Sequence, residues 1–324
     1  HTLHVYLLHA PDFLGYEGAV EMAADHPGVV ERGLRLKKAG NAIMQILGGR
    51  EIHPINVRLG GFYRVPRARE WDTLREELLW ARDAAVETVR WTAGFDFPDL
   101  ERDYELVALQ SETEYPFNEG TIASNRGLAI DASEFEDHFE EQQVPHSNAL
   151  HCVHREHGAY LVGPLARFAL NAERLSPLAR EVAREIGLET TCRNPFRSIL
   201  VRGIEIVHAC DEAVNILEAM PQPEEPAVEV PPVAGIGWAA TEAPRGLLYH
   251  RYRTDEHGRI EEAHIVPPTS QNQKSIEDDL RDMIPGLLDA DDALMRHRCE
   301  QAIRNYDPCI SCATHFLRLE IERR

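Results

Sequence analysis

Tyr306-Asp307-Pro308-Cys309-Ile310-Ser311-Cys312-Ala313-Thr314-His315 is the stretch on which the reading of the whole chain turns. Two thiols three positions apart can close on one ion, and a histidine three residues later adds a borderline ligand within the same reach. Three chemistries compete for the pair. A redox disulfide opens a helix just after a strand in an early βα unit, whereas here a helical pattern comes first and twelve residues follow Cys312. A structural zinc site uses a second cysteine pair at knuckle spacing, and Cys152, Cys192, Cys210 and Cys299 are single. The third is a thiolate-rich transition-metal centre whose other ligands lie elsewhere in the chain.

Composition narrows the setting. At 324 residues and 43% hydrophobic content the chain can bury a large core, as one big domain or two ordinary ones. Its formal charge of -20 repels phosphate backbones and anionic lipid, which argues against nucleic-acid binding. Six cysteines without regular spacing make no disulfide framework. No run of about 20 apolar residues predicts direct membrane insertion, and a reducing cytoplasm is the expected location.

Periodicity predicts helices over 2–13, broken at Pro11, and over 27–47, stopped by Gly48-Gly49. A strand or extended segment is expected over 52–59, and an amphipathic helix over 71–91. The Glu-rich region 106–158 reads as hairpins and loops over the surface. Its His138, His146, His151, His154 and His157 read first as polar surface or satisfied core groups, and His151-Cys152-Val153-His154 as a chance cluster or a separate weak site. Asn194-Pro195 is a side-chain cap followed by a first-turn proline, so it opens a core helix carrying Ile199, Ile206, Cys210, Val214 and Leu217. The Pro-rich acidic run 221–232 is a loop or linker. A β-hairpin with Arg245 at its mouth follows, then helices over 275–280 and 294–306. The expected fold is α+β, predominantly α, with a long-helix bundle core and peripheral β-hairpins.

An ordered set of motifs then resembles the large subunit of nickel-iron hydrogenases, in the soluble cytoplasmic branch that couples hydrogen to pyridine nucleotides or sulfur. The resemblance spans essentially the whole chain. It rests on His1-Thr2-Leu3-His4-Val5-Tyr6 with Pro11-Asp12-Phe13-Leu14-Gly15, on 32–41, and on Gly48-Gly49-Arg50-Glu51-Ile52-His53-Pro54 closing at Gly60-Gly61. It continues through Glu242-Ala243-Pro244-Arg245-Gly246, Pro268-Thr269, and Asp307-Pro308-Cys309 to His315.

The resemblance implies reversible heterolytic cleavage of H2 at a nickel held by four thiolates, two of them shared with an iron that carries cyanide and carbonyl. By it, Cys309 is a terminal nickel ligand and Cys312 a bridging one. His315 and the backbone carbonyl of Ile265 hold a separate magnesium or iron ion. Arg245 reaches one cyanide, Thr269 the other, and Asp307 pairs with Arg245; an arginine is a poor base, so orientation and electrostatic stabilisation come first. An iron-sulfur small subunit takes the electrons, with His53 near its nearest cluster, and flavin and NAD(P) diaphorase subunits follow.

Residues 1–324 are expected to be one catalytic unit lacking an upstream part with the first cysteine pair and a proton-relay acid, so that this chain by itself would be inactive. Residues 316–324 are expected to be a tail removed by a maturation peptidase. Two rivals stand beside this reading. One is a scaffold subunit of a respiratory-type complex that shares the fold without the metal, and the other a zinc module built on Cys309, Cys312 and His315.

Overall fold

The computed structural model describes residues 1–219 and 225–309. Three long helices, Pro27–Gly48, Ala68–Ala93 and Ser198–Ala219, form the core. The second and third pack most extensively. Gly203 is the reason they lie so close, because a Cβ there would stand 2.9 Å from Val89 Cγ2. Every residue from Ser198 to His208 is buried, as expected for a helix surrounded by protein and unlike a surface helix with one apolar stripe. Its start follows from chemistry read directly in the sequence: the Asn194 side chain accepts the Phe196 N–H at 2.9 Å, and Pro195–Arg197 make a 3₁₀ turn into it.

Small antiparallel sheets lie beside the bundle. One is a meander of Gly235–Ala243, Gly246–Thr254 and Ile260–Val266, with Gly246–Thr254 in the centre. Another joins Val107–Gln110, Thr121–Ser124 and Ala129–Ile130, and a third pairs Phe139–Gln143 with Leu150–His154. Val107, Leu109, Ile122, Phe135, Tyr160, Leu247 and Tyr249 form a second apolar core that fastens these sheets together. This is the α-rich α+β architecture the periodicities predict.

Several local expectations change. Pro11 does not break the first helix: residues 2–14 are continuously helical, and Pro11 sits just past the change from the π-helical His4–His9 to the α-helical Ala10–Leu14. The helix ends instead at Gly15, in the left-handed region at φ 79°. In 52–59 only Val57–Arg58 is a strand, paired with Gly61–Phe62. The 106–158 region is not a surface layer, since Val107, Ala108, Leu109 and Ile122 are fully buried. The hairpin is a three-stranded meander, because Gly235–Ala243 also pairs. The helix expected over 275–280 runs Pro268–Met283, and the last described helix, Asp292–Arg304, starts where the Asp291 side chain accepts the Leu294 N–H. Of the Pro-rich run, positions 221–224 lie outside the described residues, while Val228 donates its N–H to Gly60 O at 3.0 Å. Among the described residues no helix is long and apolar enough to cross a membrane.

Candidate metal centre

The centre is built around a tight turn. Strands Gly235–Ala243 and Gly246–Thr254 pair up to Ala243 opposite Gly246, so Pro244-Arg245 is the whole connection. The turn is held against Val162-Gly163 at a distance that only glycine allows. A Cβ on Gly163, at φ +115°, would meet Arg245 O at 2.6 Å, and one on Gly246, at φ +140°, would meet Val162 Cγ2 at 2.5 Å.

Beneath the turn lies a buried ion lattice. Arg167, on the helix Pro164–Asn171, is 1% exposed and donates to both Glu205 carboxylate oxygens at 2.7 Å and to Glu242 Oε2 at 2.9 Å. It also donates to the turn carbonyls Ala243 O at 2.8 Å and Pro244 O at 3.1 Å. Tyr115 donates to Glu205 at 2.6 Å, and Glu242 Oε1 accepts the Leu109 N–H at 2.8 Å. One guanidinium here serves two carboxylates. Burial pushes Glu242 up to about 7, and Arg167 offsets only part of that.

Above the turn, Arg245 is 38% exposed. Its Nε donates to the backbone carbonyl of Asp307, and its Nη2 stands 3.4 Å from Asp307 Oδ1. Asp307 adopts φ 49°, a left-handed conformation uncommon for a side chain bearing Cβ but tolerated by aspartate. Burial alone would raise its carboxyl. The contact with His4, whose Nδ1 lies 3.2 Å from Oδ1, and the charges of Arg202 and Arg245 outweigh burial and hold it at about 2. His4 itself is lowered to about 4 by burial and then by Arg202, so at neutral pH it is an uncharged imidazole beside an ionised carboxylate. Arg202, also buried, donates to Ser198 Oγ at 2.8 Å, and Ser198 donates to Asn305 O at 2.8 Å, tying the loop to the core helix. Beyond Asp307, the Cys309 N–H donates to Thr269 Oγ1 at 3.4 Å; Thr269 is buried in the first turn of Pro268–Met283.

Hydrogen bonds therefore link Arg245 to Asp307 and Cys309 to Thr269, two residues along the same loop. Ile265 lies on the edge strand opposite His250 and is half exposed. Cys312 and His315 fall outside the described residues. His4, Arg167, Arg202 and Glu205 were not among the residues singled out from sequence. A signal for two of them was present: Arg202 and Glu205 stand three apart in the otherwise apolar run Ile199 to Val207, where surface charges do not belong.

The helical core thus presents a thiol, a buried acid and a half-exposed guanidinium on one loop and turn. The profile of the Nickel-dependent hydrogenase family matches residues 156–315. The chain is 33% identical over 325 residues to Sulfhydrogenase 1 subunit alpha of Pyrococcus furiosus, covering 98% of this chain and 75% of that one. It is 27% identical over 359 residues to NAD-reducing hydrogenase HoxS subunit beta of Cupriavidus necator, covering 98% and 73%. A crystal structure of NAD+-reducing [NiFe]-hydrogenase in the H2-reduced state superposes with a TM-score of 0.86 at 22% identity, over 97% of this chain and 76% of that one. The chain belongs to the nickel-dependent hydrogenase family, as a large subunit of these oxidoreductases acting on H2.

The residues fit a nickel-iron group. The thiolate of Cys309 suits nickel, and the Nη1 of Arg245 makes no hydrogen bond among the described residues, so it keeps a donor for an anionic ligand.

Proposed function

We propose that Cys309, two residues beyond the Asp307 to which Arg245 donates, and Cys312 would hold the nickel-iron group through their thiolates. When bound, the nickel-iron centre supplies the heterolytic cleavage of H2. The chain's own groups orient and balance it. Arg245 keeps its Nε and Nη2 on Asp307 and directs its remaining donors to a cyanide. Thr269 Oγ1 accepts the Cys309 N–H, so its own proton is free for the second cyanide. Asp307, held at about 2, stays ionised across the working pH range and keeps the guanidinium in place as a fixed positive charge. The observation that carries the reading is the run of contacts from Arg245 through Asp307 to the Cys309–Thr269 hydrogen bond.

The same reading assigns His315 and the Ile265 carbonyl to a magnesium or iron ion, and residues 316–324 to a tail removed by a maturation peptidase. Residues 1–324 belong to a single catalytic unit whose other nickel ligands come from outside this stretch. Electrons leave to an iron-sulfur small subunit, and Ile52, Ile55, Val57, Leu59 and Tyr63, all exposed around His53, supply an apolar face for it. The likeness to the HoxS subunit supports flavin and NAD(P) subunits beyond that and a cytoplasmic heteromeric complex.

Infrared spectroscopy with metal analysis of the purified complex tests the centre. Nickel and iron with absorption bands of bound cyanide and carbonyl are expected; zinc at this site without those bands would overturn the assignment.

A further inference from the structure

Far along the chain from the Arg245 turn, Glu105, His154 and His157 converge where the strand Leu150–His154 folds back. Reciprocal backbone hydrogen bonds between His154 and Gly158, both 2.8 Å, close that corner, and Gly158 takes φ +79°. The corner stacks the ring of His157 on that of His154, with centroids 4.6 Å apart and planes 28° from parallel. Glu105 enters from the neighbouring extended segment, which is pinned by the Leu161 N–H to Glu105 O at 2.8 Å. The Glu105 carboxylate is fully buried and His154 is 4% exposed, while His157, at 36%, opens the group to solvent.

A buried carboxylate requires a compensating cation. Among the described residues Glu105 has no arginine or lysine partner, only the two imidazoles: His157 Nδ1 at 2.8 Å and His154 Nδ1 at 4.0 Å from Oε2. The other polar atoms of these two side chains, Glu105 Oε1 and His154 Nε2, are buried and among the described residues have no hydrogen-bond partner. One ligand atom from each of the three residues lies within 4.8 Å of the other two.

We propose that Glu105, His154 and His157 form a binding site for a borderline divalent cation of the zinc class, separate from the nickel-iron centre. Two imidazoles and a carboxylate are a set zinc accepts with water in the fourth position, and solvent reaches this site past His157. Around a tetrahedral ion with bonds of about 2.0–2.1 Å, ligand atoms stand roughly 3.3 Å apart. The Glu105–His157 gap therefore widens and the Glu105–His154 gap closes, each by under about 1 Å. What is given up is the 2.8 Å hydrogen bond between His157 Nδ1 and Glu105 Oε2 and the 3.2 Å one from the His157 backbone N–H to His154 Nδ1, both replaced by bonds to the ion. The ion would pin the 154–158 corner to the Glu105 segment and balance the buried charge.

A second cluster, His146, His151 and Glu277, makes the control. There the carboxylate is partly exposed and His146 mostly so, which leaves no buried charge for an ion to balance.

The test uses the purified holoenzyme, cleared of loosely held metal with a mild chelator and titrated with zinc chloride by calorimetry and metal analysis. One zinc per chain beyond the catalytic metals is expected, and His157→Ala should weaken it at least tenfold while His146→Ala leaves it unchanged. Hydrogen oxidation by the His157→Ala enzyme serves as the check on folding. Zinc-edge anomalous diffraction from soaked wild-type crystals should place the ion among the three side chains, a readout independent of any variant. A wild type that takes up no zinc, unchanged affinity in His157→Ala, or an anomalous peak elsewhere would overturn the site.

Discussion

Arg167 and Arg245 sit on opposite sides of one two-residue turn and are held in opposite ways. Arg167 is 1% exposed, with both Glu205 oxygens, Glu242 and two turn carbonyls on its guanidinium. Arg245 is 38% exposed and leans on Asp307 alone among the described residues. The first arginine, having no donor to spare, fixes the turn; the second, fixed by that turn, keeps donors for a ligand. A charge saturated by its own protein contributes structure, and one left partly unsatisfied in a fixed position is available for chemistry.

The comparison breaks most severely at Arg167. Arg167→Met leaves two buried carboxylates without their cation and should cost about 3–5 kcal/mol, read as a lowered denaturation midpoint or loss of soluble protein. Adding Glu205→Gln and Glu242→Gln to that variant should restore part of the loss, because no charge is then stranded. If Arg167→Met alone were as stable as wild type, the lattice would not be holding the turn.

Gly163→Ala should come next. Its Cβ would press on Arg245 O from a backbone conformation unsuited to alanine, at a cost of about 1–3 kcal/mol. Because the displaced atom belongs to Arg245, hydrogen uptake should fall by more than the fraction of protein unfolded, and activity that simply tracked folding would argue against a positional role for the turn.

Glu242 gives the smallest effect and the sharpest sign. Its native value of about 7 lies above the ordinary 4.5, so between those limits the folded protein binds a proton that the unfolded chain has released. Its contribution is complete below about 4.5 and lost as pH rises through about 7. Glu242→Gln should flatten that decline by on the order of 1 kcal/mol between pH 5 and 8, measured by denaturant titration. An unchanged slope would mean that Glu242 is ionised throughout.

How much of this was legible beforehand depends on range. The long helices were readable because Leu74, Leu78, Ala81, Ala85 and Val89 repeat at helical spacing, and the Asn194-Pro195 cap is local chemistry. The pairing of Arg245 with Asp307 was anticipated only through family resemblance, since 62 positions separate them and no periodicity connects a turn to a loop. Arg167 and Glu205 were passed over because a buried ion pair is written in the same letters as a solvated helix face. The strand Gly235–Ala243 was missed because Gly235, Gly237 and three alanines give weak strand preference, and pairing with Gly246–Thr254 overrides it. Pro11 misled because a π-helical stretch directly before it lets the helix run on through a proline. The buried sheets of 106–158 looked superficial because Glu112, Glu114, Glu119, Asp131, Glu134, Glu136 and Asp137 crowd the connections between short apolar strands.

The most direct test is exchange between D2 and water catalysed by the holoenzyme with Arg245→Lys, since that reaction reports hydrogen cleavage without any electron acceptor. Lysine keeps the charge but loses the planar fork that holds Asp307 and, in the function proposed, a metal ligand with it. Exchange should fall about a hundredfold or more, with nickel and iron content unchanged. Exchange at the wild-type rate, with the metals in place, would contradict the role given to the turn.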